Sequence, residues 1–492
     1  MPERENSGIS CHECFKNLYE GPTPLLKAVG ESKSQELVPD GRGPTCHSAT
    51  RGARVIVHLR ESQQGAVAMN PVWRQLLSRG GRPDGPVRIG FIYPDRGPLA
   101  QAGSDMRDGF LLFWEEARHT ATGRAVDILL ETKATNNAEE GLKKAQKLVE
   151  ADRVHLVGGI VSTAVAYVLR AYLVEHEIPT VIMNAGADGL TQAHRSEYIF
   201  RSCFSNSDAS HPLGEWAYVR GYRRMVLIGS DHRGGHEQVG GIARTFTKAG
   251  GQILQELYPP RGIRDFRRHL AQIRSDADVA AVFFAGTDAI EFVRQYAEVG
   301  LKDRLPLIGK GHLIDDTILP QQGESAVGIV TALHWSSALD TPANRRFLQA
   351  YLARYQRPAG AYAEQGYVGA CMIAQALETV KGSVEHRRAF LRALEAVEID
   401  APRGKVTLDA YHNPVHTIYI CRVDACWPGY QNTPIANYPN TSQFWKWSPE
   451  AYLALPAYID LRGRWAIEAS RITPLRSADP FPAVREGAAR AP

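Results

Sequence analysis

From Val87 onward the chain alternates between two hydrophobic rhythms. Val87–Tyr93 (VRIGFIY) is a short apolar run closed by Pro86 and Pro94, the pattern of a strand buried on both faces. In Ala102–His119, Met106, Phe110, Phe113 and Trp114 fall on one face of a helix. Val126–Thr132 then predicts a strand, Ala138–Ala151 a helix, Val154–Gly159 a strand, Ala164–Glu175 a helix and Thr180–Asn184 a strand. Strands alternating with helices in this way predict a parallel sheet covered on both faces. The alternation starts again with strand Arg224–Ser230 (RMVLIGS) and helix Gly235–Ala249. Strand Gln252–Tyr258, helix Phe266–Arg274, strand Val279–Gly286 and helix Ala289–Val299 follow, with Gly300 as its stop. Strands are predicted at Leu305–Gly309 and Val327–His334. Helices follow at Asn344–Tyr355, Tyr367–Val380 and Arg387–Ala396, then strands at Lys405–Leu408 and Thr417–Val423.

Residues 1–85 carry Pro, Gly, Ser and charge without either period, apart from Val55–Val57 with Leu59 as a short strand candidate. They are expected to be a disordered or mis-assigned extension. No basic start followed by an apolar region of signal-peptide length is visible after Met1 or Met69. Cys11 and Cys14 (C-x-x-C) with Cys46 and His47 miss the spacing of a zinc ribbon. The 492 residues are 44% hydrophobic and 22% charged, ordinary values for a folded protein. Lys+Arg total 57 and Asp+Glu 53, a net charge of +4. So small an excess excludes a nucleic-acid footprint and a polybasic membrane anchor. No apolar run approaches the roughly 18 residues of a membrane span.

In open parallel sheets, ligands bind at the carboxyl ends of the strands, where helix N-termini present free N–H groups. Five loops fall there. Gly158–Thr163 brings Ser162 and Thr163 to the start of a helix, as caps or as carboxylate donors. Asn184–Gly189 is built of small residues, Ala185, Gly186 and Ala187, that let a ligand approach the backbone. Gly229–His236 offers His232. Gly286–Asp288 offers Thr287 and Asp288, the latter the natural cap of the next helix. Gly309–His312 offers Gly311 and His312. Catalytic machinery is missing: there is no G-x-S-x-G, no H-E-x-x-H, no P-loop and no G-x-G-x-x-G after the first strand. His232 and His236 are four apart across a Gly-Gly pair and do not define a metal site.

The stretches IGFIYPDRGP (Ile89–Pro98), GGIVST (Gly158–Thr163) and IPTVIMNAGAD (Ile178–Asp188) appear in a characteristic order with FRSCFSN (Phe200–Asn206) and GSDHRGGH (Gly229–His236). AGTDAIEFV (Ala285–Val293), PLIGKG (Pro306–Gly311) and YAEQGY (Tyr362–Tyr367) complete the series. From about Val87 to about Asp460 the chain resembles the extracellular solute-binding proteins of the branched-chain-amino-acid class. These are type I periplasmic binding proteins that feed ABC transporters. The resemblance implies an α/β fold of two doubly wound, Rossmann-like lobes joined by three crossover segments, near Ser205, Trp335 and Gly404. Lobe one would be 86–204 plus 336–403, lobe two 205–335 plus 404–460, and 461–492 a tail.

By the same resemblance the ligand carboxylate would sit on Ser162 and on the backbone of Ala185 and Ala187. The loops of His232, Asp288 and Gly311–His312 would face it from lobe two. A tyrosine common in the family is His232 here. The acid expected after Gly309 as partner of an amino group is replaced by Gly311 or His312. That pattern is closer to a branch binding aromatic or other small carboxylates, with Phe204, Trp335 and Tyr362 as stacking groups. The expected function is capture of a small carboxylate in the inter-lobe cleft, without catalysis, cofactor or metal. The expected partner is a membrane permease, and the expected location the periplasm. The alternative is a cytoplasmic small-molecule sensor on the same fold, working through a protein partner.

Overall fold

The computed structural model describes residues 85–97, 99–132 and 137–463. The candidate strand at Val55–Val57, the residues Cys11, Cys14, Cys46 and His47, and the chain after 463 lie outside the described residues.

Strand β1 (Val87–Ile92) leads into helix α1 (Ala100–Glu116); β2 (Thr120–Ala121), β3 (Arg124–Glu131), α2 (Ala138–Gln146), β4 (Leu156–Gly159), α3 (Thr163–Glu175), β5 (Thr180–Ile182) and β6 (Ile199–Arg201) follow. They form a six-stranded sheet in the order β2-β3-β1-β4-β5-β6. Every pairing in it is parallel except the β2–β3 hairpin. Helix α2 starts where its sequence predicts, because the Asn137 carboxamide oxygen accepts from the Glu139 and Glu140 N–H groups. Its last turn widens into a π-turn over Lys147–Ala151.

The second α/β unit runs α4 (Ser210–Val219), β7 (Arg224–Gly229), α5 (Arg233–Lys248), β8 (Gln252–Leu257), α6 (Arg267–Leu270), β9 (Val279–Phe283), α7 (Thr287–Glu298), β10 (Leu307–Lys310), α8 (Leu319–Gln322) and β11 (Val330–Leu333). Helices α9 (Pro342–Tyr355), α10 (Ala361–Thr379) and α11 (Arg387–Glu395) come next, then β12 (Ile399–Ala401), β13 (Gly404–Leu408), β14 (Pro414–Cys426), β15 (Gly429–Thr441) and α12 (Pro449–Leu453). The second sheet has nine strands, β12-β13-β14-β11-β10-β9-β7-β8 with β15 on β14. The molecule is thus a pair of α/β lobes, as the alternation predicts.

Helix α4 and strands β6, β12 and β15 are among the elements that escape the hydrophobic pattern, for local reasons. Helix α4 contains Pro212 and Gly214, which punctuate the apolar rhythm. Strands β6 and β12 are three residues each, too short to show a period. Strand β15 carries Pro434, Pro439 and three Asn at the sheet edge. Asp288 does not cap α7. The cap position is Gly286, at φ 58°, and the Asp288 carboxylate accepts from the Gly262 N–H instead.

The late helices return to the first sheet. Val368, Met372, Ile373 and Leu377 of α10 share one apolar core with Phe91, Phe110 and Trp114. Helices α1 and α10 meet at van der Waals distance because glycine stands on both sides. A Cβ at Gly109 would lie 1.8 Å from the Ala363 carbonyl oxygen, and one at Gly366 1.9 Å from that of Met106. Val406 and Leu408, beyond Gly404, still pack in this first core although β13 continues into the second sheet.

Where the chain passes between the lobes, buried charges converge. The Arg403 guanidinium donates to both Glu364 oxygens, at 2.7 and 2.5 Å, and to the carbonyls of Ser202 and Cys203. The Lys310 ammonium donates to the carbonyls of Ser205 and Asn206 and to Asp208, at 3.1–3.2 Å. His416 stands 3.4 Å from Asp208, and His334 3.8 Å from Glu364. All six side chains are fully shielded from solvent. Burial opposes ionisation of Asp208, but Lys310 and His416 outweigh it and hold the carboxyl well below its usual range.

A buried ion pair broken from one side is costly, because the remaining charge stays desolvated. Arg403→Met should therefore lower the stability of the full chain by about 3–5 kcal/mol in chemical denaturation. Glu364→Leu added to Arg403→Met should recover most of that loss. A double variant as unstable as the single one would show that the pair is not what the crossing depends on.

Candidate functional site

The loops at the carboxyl ends of β4, β5, β7, β9 and β10 carry the residues singled out by sequence. In the β4 loop, Gly159 (φ 95°) and Ile160 (φ 67°) both take left-handed backbone. Such a conformation in a β-branched residue costs roughly 1–3 kcal/mol and persists only where its surroundings enforce it. Here the Ile160 N–H donates to Ile92 O at 2.8 Å, and Ile160 O accepts from the Ala185 N–H at 3.0 Å. The strained turn delivers Ser162 to the N-cap of α3 in extended conformation. Among the described residues its hydroxyl makes no capping bond. Ser162 and Thr163 are half-buried, so donors are present that the fold itself does not consume.

The β5 loop is engaged differently from the sequence expectation. The Ala185 amide, expected to face a carboxylate, is occupied by Ile160, and Ala185 and Ala187 pack in the apolar cluster beneath the sheet. Buried Arg201 holds the loop from behind, donating to the carbonyls of Gly186, Ala187 and Phe204. Asn184 donates 2.7 Å to Gln365 of α10. Gly186 has no room for a side chain, because a Cβ would stand 2.3 Å from Asn206 Oδ1 and 2.5 Å from the Phe204 ring.

The second lobe supplies the opposite wall. His232 caps α5 by position, is half-buried, and its ring centroid lies 6.1 Å from that of Phe283. Burial, with Arg261 nearby, pushes its pKa down to about 4. Thr287 is exposed, and Asp288 is held by Gly262. Gly311 is buried against Leu333. His312 is 4% exposed, and among the described residues neither ring nitrogen has a hydrogen-bond partner. Its ring faces Phe204 at 5.1 Å, Tyr362 at 5.4 Å and Phe283 at 6.5 Å. His312 is thus ringed by aromatics from a crossing, from lobe one and from lobe two. Trp335, by contrast, packs with Leu112 and Phe347, its indole N–H on Asn344.

Several residues of this region are not singled out by the sequence as ligand contacts. Asp188 and Glu237 meet across the lobes: the Asp188 N–H donates to Glu237 Oε2 at 3.2 Å, and the Asn206 carboxamide donates to the same oxygen at 2.7 Å. Asp188 accepts from the Ser207 N–H, and its second oxygen has no partner among the described residues. Arg233 of lobe two stands 3.7 Å from Glu237 and over the Tyr167 ring of lobe one. Asp315 of lobe two accepts from the Ala361 N–H at the start of α10. Their only sequence signal is placement beside the loops already noted, since an isolated Asp or Glu carries no period.

His236 pairs with Asp231 at 2.9 Å. Among the described residues, no group of three or more His, Cys, Asp or Glu is placed to hold a metal, and no helix is long and apolar enough to cross a membrane.

Comparison with known proteins places this architecture. Residues 86–428 match the family described as periplasmic binding protein. A solved ABC transporter substrate-binding protein from Sphaerobacter thermophilus is 37% identical, with a TM-score of 0.71 over 73% of this chain and 99% of that one. A solute-binding protein of an ABC transporter from Rhodopseudomonas palustris, solved with 3,4-dihydroxybenzoic acid, is 27% identical, with a TM-score of 0.69 over 72% and 98%. A Leu/Ile/Val-binding protein homologue from Brucella melitensis is 26% identical over 66% of this chain and 83% of its own.

The acid pair makes a pH dependence. Burial pushes both the Asp188 and the Glu237 carboxyl up, each reinforced or opposed by the groups facing it. Arg201, Lys310 and Ser207 oppose the shift at Asp188; Asp188 itself adds to it at Glu237, against Asn206 and Arg233. A raised carboxyl keeps in the folded state a proton that the unfolded chain has released. Stability contributed by the pair is therefore lost as pH rises from the ordinary carboxylate range toward neutrality. Glu237→Gln should flatten that decline in a series of melting temperatures taken across the range. A variant profile parallel to the native one would contradict the assignment.

Proposed function

The chain belongs to the periplasmic binding protein family, and from that premise we propose that it is the solute-binding component of an ABC transporter, capturing a small carboxylate between its lobes. The observation that carries the reading is the Ser162 cap: a half-buried hydroxyl with no capping bond among the described residues, at the N-terminus of a thirteen-residue helix, on a strained turn. The helix N-terminus attracts negative charge, and its first N–H groups are free to donate. Charge-assisted hydrogen bonds in a site shielded from water are strong enough to hold a small anion. Lobe two brings His312, His232 and Phe283 onto the other side, so hinge closure would shield the ligand. The benzoic-acid derivative in the Rhodopseudomonas relative supports the carboxylate reading. Delivery to a membrane permease follows from the same family.

A ligand bound only by the folded state raises the melting temperature, with about 2.7 kcal/mol of stabilisation at a hundred times its Kd. A thermal-shift screen of the full chain over aromatic acids, aliphatic acids and amino acids should find such a shift. Ser162→Ala should cut the affinity of the best carboxylate by roughly tenfold or more, the worth of a hydrogen bond to a charged group. No shift with any carboxylate, or unchanged affinity in Ser162→Ala, would contradict the proposal.

A further inference from the structure

We infer that His312 is the specificity-determining residue of the cleft, and that it selects an aromatic carboxylate bearing an uncharged hydroxyl over an amino acid of the same size. The inference rests on the carboxylate reading above and adds the chemistry of the ligand's other end.

The first observation is hydrogen-bonding capacity left open. His312 sits in a short 3-10 turn, Gly311–Ile314, directly after β10, and the whole turn is buried. Buried polar groups in folded proteins are nearly always paired, so two nitrogens on one buried ring without a partner among the described residues need an explanation. A neutral imidazole offers one donor and one acceptor, and a hydroxyl group offers the complementary acceptor and donor.

The second observation is the wall. Phe204, Phe283 and Tyr362 stand around the ring with centroids 5.1–6.5 Å away. Aromatic rings at such distances pack well against a flat apolar body.

The third observation is charge. Lys310 precedes the turn, with its ammonium over the Phe204 ring at 4.4 Å. Burial and Lys310 together push His312 down to about 3, so the ring is neutral at physiological pH. A ligand ammonium brought here would meet a neutral ring and a neighbouring cation. The acids around it are engaged: Asp208 by Lys310, Glu364 by Arg403, and Asp315 by the Ala361 and Thr317 N–H groups. Burial moves Asp188 and Glu237 toward their uncharged forms.

The test is calorimetric titration of the full chain with 4-hydroxybenzoate, benzoate and L-phenylalanine. One neutral hydrogen bond at His312 should favour 4-hydroxybenzoate over benzoate by roughly fivefold to tenfold. L-phenylalanine should bind more weakly than either acid. His312→Phe should erase the hydroxyl preference while leaving benzoate binding in place, and His312→Asn should keep part of it. Should His312→Phe fail to fold, the three affinities of the native chain still decide. Equal binding of the two acids, tighter binding of L-phenylalanine, or an unchanged preference in His312→Phe would overturn the role of His312. Binding of none of the three would instead overturn the carboxylate reading itself.

Discussion

The structure depends on charge buried where the chain passes between its lobes. Arg403 with Glu364 and Lys310 with Asp208 form two ion pairs without solvent access. They tie β10 and α10 to the segment 202–208 and to the turn between β12 and β13. Charges in such a place are tolerable only when every one is paired and hydrogen-bonded. The carbonyls of Ser202, Cys203, Ser205 and Asn206 complete the sets. The crossing backbone is thereby fixed by hydrogen bonds.

That fixed centre positions the cleft. Segment 202–208 carries Phe204 and Asn206, which reach the site, and Asp208, which anchors Lys310. Lys310 ends β10 and is followed at once by His312. Glu364 anchors the first turn of α10, whose Tyr362 faces the same histidine. The buried charges at the crossing and the rings around His312 are therefore near neighbours in sequence. Gly186, with no room for a Cβ beside Asn206 and Phe204, closes the same arrangement from lobe one.

The lobes were legible because strands buried on both faces appear as uninterrupted apolar runs. VRIGFIY, RMVLIGS and VAAVFFAG each became a central parallel strand. The loops at their carboxyl ends followed from topology, which is how Ser162, His232 and His312 could be named. The hinge could not be read in this way. Lys310 and Asp208 are 102 residues apart, and Arg403 lies 201 residues from Ser202. Lone charged residues with distant partners have no period. The engagement of the Ala185 amide is illegible in the sequence for a related reason: its acceptor, Ile160, is supplied by a left-handed turn that nothing in the local residue types demands. Asp288 follows the common preference for acids at helix starts, but Gly286 takes the cap and leaves it in the first turn.

On the proposed function, one small carboxylate is held by both lobes at once, at Ser162 and beside His312. Hydrogen exchange of the full chain, with and without saturating benzoate, measures it directly. Protection should rise together in Ile160–Val165 of lobe one and in Gly311–Ile314 of lobe two. Protection confined to one of these segments, or absent from both while calorimetry reports saturation, would contradict the account.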